Sequence, residues 1–163
     1  MDLELRERAE RYAAIRGLTL GTSLGSGIHG IVFLARFHQN PAGVAVKFHT
    51  DAVPFQREIA AYARLAGHGV TEICGFHVPQ VLHVDEDWLA IEMTVVARPF
   101  VLDFAAAHLD RAPQFSEETM AQWEADKREQ FGSRWPTVQR ILSELRGMGI
   151  HQTDVSPGNI GFE

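Results

Sequence analysis

Cysteine is almost missing from this chain: Cys74 stands alone among 163 residues. An internal disulfide is therefore excluded, and an oxidising compartment is not needed for folding. Long apolar runs are also missing, and none approaches the roughly 20 residues that a bilayer-spanning helix requires. The opening MDLELRERAERYAAIRG is charged, mixed in sign and helical in period, which fits neither a signal peptide nor a transit peptide. Together these features place the chain in a reducing cytoplasm without a membrane partner. Excess positive charge is lacking too: 15 basic against 21 acidic residues give a net charge of −6. No sequence-independent pull toward nucleic acid follows, and a nucleic-acid partner is not expected. Internal repeats and low-complexity tracts are absent. The eight histidines show no paired H-x-x-x-H spacing that would hold a metal on one helix. Cys74, beside Gly75, reads as a small buried residue.

What is present is enough apolar content, 45% of residues, to build a core. From Leu3 to about Arg16, Leu5, Ala9, Tyr12 and Ala13 share one side of a helix that Gly17 ends. LTLGTSLG and IVFLARFH then read as a hairpin about a glycine-rich turn, and VAVKFH as a third strand. FQREIAAYARLAG carries Phe55, Ile59, Tyr62, Ala63 and Ala66 at helical spacing. PQVLHV and DWLAIEMTVV follow as two strands around Asp85-Glu86-Asp87, giving five antiparallel strands with one inserted helix. Beyond them, VLDFAAAH reads as a short helix, and Ser116 is a suitable N-cap for EETMAQWEADKREQF. A last helix, Trp135 to Met148, presents Val138, Ile141, Leu142 and Leu145 on one face. The acidic residues Glu117, Glu118, Glu124 and Asp126 belong to a solvated helix face. The expectation is an α+β protein divided into 1–17, 18–96 and 97–163, with a lobe boundary near Val95 to Pro99.

Three stretches could carry chemistry. Gly25-x-Gly27-x-x-Gly30-x-Val32 leaves room for main-chain N–H groups to approach phosphate oxygens. A strand, not a helix, follows the third glycine, which argues against a dinucleotide fold; a plain hairpin and a phosphate-covering loop both stay open. Lys47 lies between apolar neighbours, where an unpaired ammonium is costly, and Glu58 on the following helix is its best partner. A lysine whose stem packs and whose head reaches solvent is the alternative. Finally, GIHQTDVSPGNIGFE sets Asp154 and Asn159 in a polar turn between apolar runs.

Taken in order, these parts resemble those of a protein kinase: a glycine loop ending in valine, a V-A-V-K strand, a helical glutamate, then a loop aspartate and asparagine. The resemblance runs from about Leu18 to Phe162. It implies a kinase-like fold, with a five-stranded N-lobe, one helix equivalent to the family's αC, a shortened helical C-lobe, and ATP with Mg2+ in the cleft between them. Gly25, Gly27 and Gly30 would cover the phosphates, while Val32 and Ala45 would pack on adenine. Lys47, oriented by Glu58, would hold the α- and β-phosphates. Ile91 would be the gatekeeper, with the main chain of Glu92, Met93 and Thr94 offered to the adenine edge. Asp154 would take the proton of the substrate hydroxyl, and Asn159 would be a metal ligand.

The resemblance also has departures. Gln152-Thr153-Asp154 replaces His-Arg-Asp, so activation through a phosphorylated loop is not implied. Ser156 stands where serine/threonine kinases carry a lysine, and DVSPGNI is closer to the loops of aminoglycoside and choline phosphotransferases. The acceptor is therefore a protein or a small molecule. The sequence reaches Glu163 before the family's Asp-Phe-Gly motif, the main magnesium ligand. Its loss would lower the rate by on the order of a thousandfold or more. A pseudokinase that binds a partner is the alternative expectation; Trp123, Phe131 and Trp135 suit a surface for self-association or a partner protein, although aromatic residues at helical spacing are more often core. His29, inside the glycine loop, could touch a phosphate.

Overall fold

A computed structural model describes residues 2–163; residue 1 of the expected 1–17 segment lies outside the described residues. In chain order the elements are α1 (Asp2–Arg16), β1 (Leu18–Gly27), β2 (Gly30–Phe37), β3 (Asn40–His49), α2 (Ala52–Gly67), β4 (Glu72–Ile73), β5 (Phe76–His77), β6 (Val81–Asp85) and β7 (Ala90–Thr94). There follow β8 (Phe100–Val101), β9 (His108–Leu109), α3 (Glu117–Phe131), a 3-10 turn (Gly132–Arg134), α4 (Trp135–Gly147), β10 (Ile150–His151) and β11 (Ile160–Gly161). The protein is mixed α+β. The chain divides into two compact units, one holding the residues up to Ile59 with Pro79–Val95, the other Ala60–Val78 with Val96–Glu163. Among the described residues no helix is long and apolar enough to cross a membrane.

The first unit is built on a five-stranded antiparallel sheet in the order β1-β2-β3-β7-β6. Side chains alternate across it, as the pleat demands. Ile31, Phe33 and Ala35 of β2 and Val44, Val46 and Phe48 of β3 form one face, buried against Leu5, Ala9, Tyr12 and Ala13 of α1. These four α1 residues are the ones the helical period selects, and each is at most 6% exposed. Tyr12 and Phe48 meet edge to face with centroids 5.4 Å apart.

Glu92 lies on this same covered face. Its Oε1 accepts from Tyr12 Oη at 2.7 Å and Arg16 Nε at 2.9 Å, and its Oε2 accepts from Arg16 Nη2 at 3.1 Å. Burial alone would push the Glu92 carboxyl up, but the Arg16 and Tyr12 hydrogen bonds outweigh it and hold it below the usual range. Glu92 thus fastens α1 to β7.

In the second unit, α4 buries Trp135, Val138, Ile141, Leu142 and Leu145 along one stripe. Ser116 caps α3, its Oγ accepting from Thr119 N at 3.1 Å. Within α3 only Phe131 is buried; Glu117, Glu118 and Asp126 are solvated, as the charge pattern predicts. Phe131 stacks on Trp135 at 6.2 Å, and Trp123 meets Trp135 edge to face at 6.0 Å. Phe131 and Trp135 are therefore core residues in this unit rather than a free surface.

Two expectations fail here for local reasons. VLDFAAAH is not a helix despite its alanines: β8 is followed by a turn in which Asp103 has φ 65, and β9 begins at His108. Its polar groups bond elsewhere. Leu102 N donates to Asn159 O, and the carbonyls of Asp103 and Ala106 accept from Gln152 and Thr153. These non-local bonds override helix propensity. Cys74 is exposed, not buried. With Gly75 it forms the two-residue link between β4 and β5, and φ values of 51 and 81 mark the left-handed turn favoured in tight hairpins.

Candidate functional site

The groups singled out in the sequence fall into two sets, one in each unit. In the first, register decides which side chains share a face, because residues opposite one another in antiparallel strands point the same way. Val32 pairs with Lys47, Lys47 with Ile91, and Ala45 with Met93. Val32, Ala45, Lys47, Ile91 and Met93 therefore project from the face opposite α1. Glu92 does not belong with them; its side chain is on the α1 face, committed to Tyr12 and Arg16.

The main chain offered at Glu92 to Thr94 also needs correction. β7 lies between β3 and β6, Met93 pairing with both Ala45 and Val81, and Thr94 N donates to Gln80 O at 2.9 Å. An interior strand has no free edge. The ladder releases the main chain only past Thr94, at residues 95–97.

The glycine stretch is the β1–β2 hairpin, with Gly25 opposite Val32 and Gly27 opposite Gly30. Its three glycines have different reasons. Gly30 has φ 155, and a Cβ there would lie 2.0 Å from Phe48 O, so the fold itself forbids a side chain. A Cβ on Gly25 or Gly27 would meet nothing within 4 Å. Packing thus explains Gly30 and leaves Gly25 and Gly27 available for a close approach from outside. Ile28 and His29 form the turn, and their carbonyls accept from Thr50, at 3.3 Å from Oγ1 and 3.0 Å from N.

Lys47 and Glu58 meet as the sequence predicts. Lys47 Nζ lies 2.7 Å from Glu58 Oε2, with side chains 5% and 1% exposed. The same oxygen is 2.6 Å from His49 Nε2. Burial opposes the Glu58 carboxylate, yet the charge of Lys47 and the His49 hydrogen bond together hold its carboxyl below the ordinary value. A carboxyl depressed by folding stabilises the folded state above its unfolded value and loses that contribution as pH falls through its folded value. Denaturant unfolding is therefore expected to show wild-type stability falling below about pH 4, and Glu58→Gln to show a smaller fall over the same range. Equal slopes in the two proteins would contradict the network. His49 escaped the sequence reading, although its signal was present: two residues past Lys47 on a strand means the same face.

In the second unit, Asp154 and Asn159 lie on the loop between β10 and β11. Gln152 Nε2 donates to Asp103 O at 2.6 Å, and Thr153 Oγ1 to Ala106 O at 2.8 Å. These bonds anchor the residues just before Asp154. Asn159 Nδ2 donates to Asp154 O at 3.1 Å, closing the loop on itself. Among the described residues neither the Asp154 carboxylate nor Asn159 Oδ1 has a hydrogen-bond partner, and both residues are half-buried.

The strand entering this loop is clamped as well. Arg64 of α2 binds Asp110 through two bonds of 2.9 and 3.0 Å and donates to Met148 O at 2.9 Å. Gly149 has φ 77, which favours glycine, and a Cβ there would lie 2.6 Å from Arg64 Nη1 and Asp110 Oδ1 and displace the ends of both side chains.

An oxygen donor such as Asn159 Oδ1 suits a hard cation, and Mg2+ binds through few protein ligands with water and phosphate completing its shell. No group of three or more His, Cys, Asp or Glu side chains able to hold a metal exists among the described residues. The residues present thus fit partial ligation of Mg2+, not an all-protein cage.

No protein-family model matches the chain, and no curated protein matches its sequence. The functional reading therefore stands on the residues and their geometry.

Proposed function

We propose that this protein is a kinase-like ATP-binding protein that transfers the γ-phosphate of ATP to a hydroxyl group of a protein or small molecule. The observation that carries the reading is the buried Lys47–Glu58 pair at 2.7 Å, on the sheet face shared with Val32 and Ala45 and opposite α1. A buried ion pair is costly to maintain. It is a reasonable expense where a cation must meet a polyphosphate, and the open space over Gly25 and Gly27 supports the same ligand.

In this reading Lys47 holds the α- and β-phosphates, held in turn by Glu58. Val32, Ala45, Ile91 and Met93 supply apolar contact for adenine, and main chain beyond Thr94, rather than Glu92 or Met93, meets its polar edge. Asp154 accepts the proton of the attacking hydroxyl as its oxygen bonds to the γ-phosphorus and the bond from phosphorus to the leaving oxygen of ADP breaks. Asn159 Oδ1 would contribute to holding Mg2+, which when bound supplies charge neutralisation at the phosphates. Gln152 and Thr153 position Asp154 through their bonds to Asp103 and Ala106.

The test is formation of ADP from ATP by the purified chain in the presence of magnesium, with candidate hydroxyl acceptors and with water alone. ADP formation above the rate without enzyme is expected. Its absence with every acceptor, in a protein that binds ATP, would remove the transfer step and leave nucleotide binding as the activity.

A further inference from the structure

We propose that His49 is a positioning residue of the phosphate clamp, fixing the Glu58 carboxylate in the orientation that Lys47 requires. The proposal deepens the nucleotide reading and rests on it for its consequence on ATP. One carboxylate oxygen, Glu58 Oε2, serves both neighbours: Lys47 Nζ at 2.7 Å and His49 Nε2 at 2.6 Å. An ammonium is a compact charge with rotatable donors and imposes little direction on a carboxylate. An imidazole N–H is fixed by its ring, so the direction comes from His49.

That ring is itself held from several sides. His49 is wholly buried. Its main-chain N–H donates to Leu89 O at 3.0 Å, and its Nδ1 lies 3.3 Å from the same carbonyl. Leu89 has φ 48, the left-handed conformation that closes the turn into β7. Phe55 of α2 meets the imidazole edge to face with centroids 5.3 Å apart. From α1, Arg8 donates through Nη2 to the His49 carbonyl. Both partners of the ring nitrogens are acceptors, so the Nε2–H tautomer satisfies Glu58 and the imidazolium satisfies Glu58 and Leu89 together. In either form the N–H toward Glu58 is retained. Removing the imidazole takes away the donor that gives Glu58 Oε2 its direction, and the carboxylate can then turn relative to Lys47.

The chain has only two lysines, Lys47 and Lys127, which makes a direct readout practical. Lysine labelled with 15N at the side-chain nitrogen gives one buried and one surface signal, observable without nucleotide. His49→Phe, which removes the N–H, is expected to displace the Lys47 signal and to weaken ATP binding in the presence of magnesium by about tenfold, the loss of part of one charge-assisted hydrogen bond. His49→Gln, whose amide N–H can replace the donor, is expected to return the signal toward its wild-type position and the affinity to within about threefold. His49→Met takes the place of His49→Phe if the latter does not melt cooperatively. A folded donor-less variant with an unmoved Lys47 signal, or a Gln variant no better than the donor-less one, overturns the proposal. If wild-type protein binds no ATP, the nucleotide reading fails, and the Lys47 signal still decides the role of His49.

Discussion

Lys47→Met is expected to raise the Kd for ATP in the presence of magnesium by about a hundredfold or more while leaving the protein folded. The size follows from removing a buried cation from polyphosphate: a charge-assisted hydrogen bond contributes about 1.5–3 kcal/mol, and a hundredfold corresponds to about 2.8 kcal/mol. The fold should survive because Glu58 keeps a second donor, His49 Nε2 at 2.6 Å, so its carboxylate is not left bare in the core. Breaking a buried pair still costs stability, of the order of 3 kcal/mol when no substitute donor exists. Calorimetry and a thermal melt on the same sample separate the effects. An unchanged Kd in a folded variant would remove Lys47 from the phosphate site. A protein that fails to fold would show that His49 does not hold Glu58 by itself.

Asp154→Asn is expected to act on turnover and not on nucleotide affinity. General-base catalysis contributes about a hundredfold to ten-thousandfold, so ADP formation with an acceptor should fall by about a thousandfold while the Kd for ATP stays within about twofold. Asparagine keeps the shape of the side chain, and the loop keeps its anchors, since Gln152, Thr153 and the carbonyl of Asp154 make the structural bonds. The Asp154 carboxylate makes no hydrogen bond to any described residue, so no structural partner is lost. Rates measured at saturating ATP, beside affinity from calorimetry, give the comparison. An unaltered rate would reject Asp154 as the base; a large loss of affinity would reassign it to holding the nucleotide or its metal.

The parts of this structure that follow simple periodicities were legible in the sequence. LTLGTSLG and IVFLARFH form the hairpin that their apolar runs and glycine turn indicate, and the helical spacing of Leu5, Ala9, Tyr12 and Ala13 supplied the layer that covers the sheet. The Lys47–Glu58 pair was legible as one of two readings, since a lysine between apolar residues either reaches solvent or finds a counter-charge, and burial of both side chains decides for the pair at 2.7 Å. The main chain of Glu92 and Met93 is taken by ladders on both sides, and a single strand does not announce whether it lies inside a sheet, because its partners in β3 lie far away in sequence. The same limit applies to VLDFAAAH, where bonds from Asn159, Gln152 and Thr153 decide the conformation and local propensity does not. Cys74 fell to turn geometry: two successive left-handed residues formed a hairpin too tight for burial.

The central claim is that the sheet face bearing Lys47 binds ATP. Titration calorimetry of the wild-type chain with ATP, with and without magnesium, tests it most directly. The account predicts saturable binding of one nucleotide per chain, strengthened by magnesium. Absence of binding at millimolar ATP in either condition would contradict it, and the buried Lys47, His49 and Glu58 would then be a structural network only.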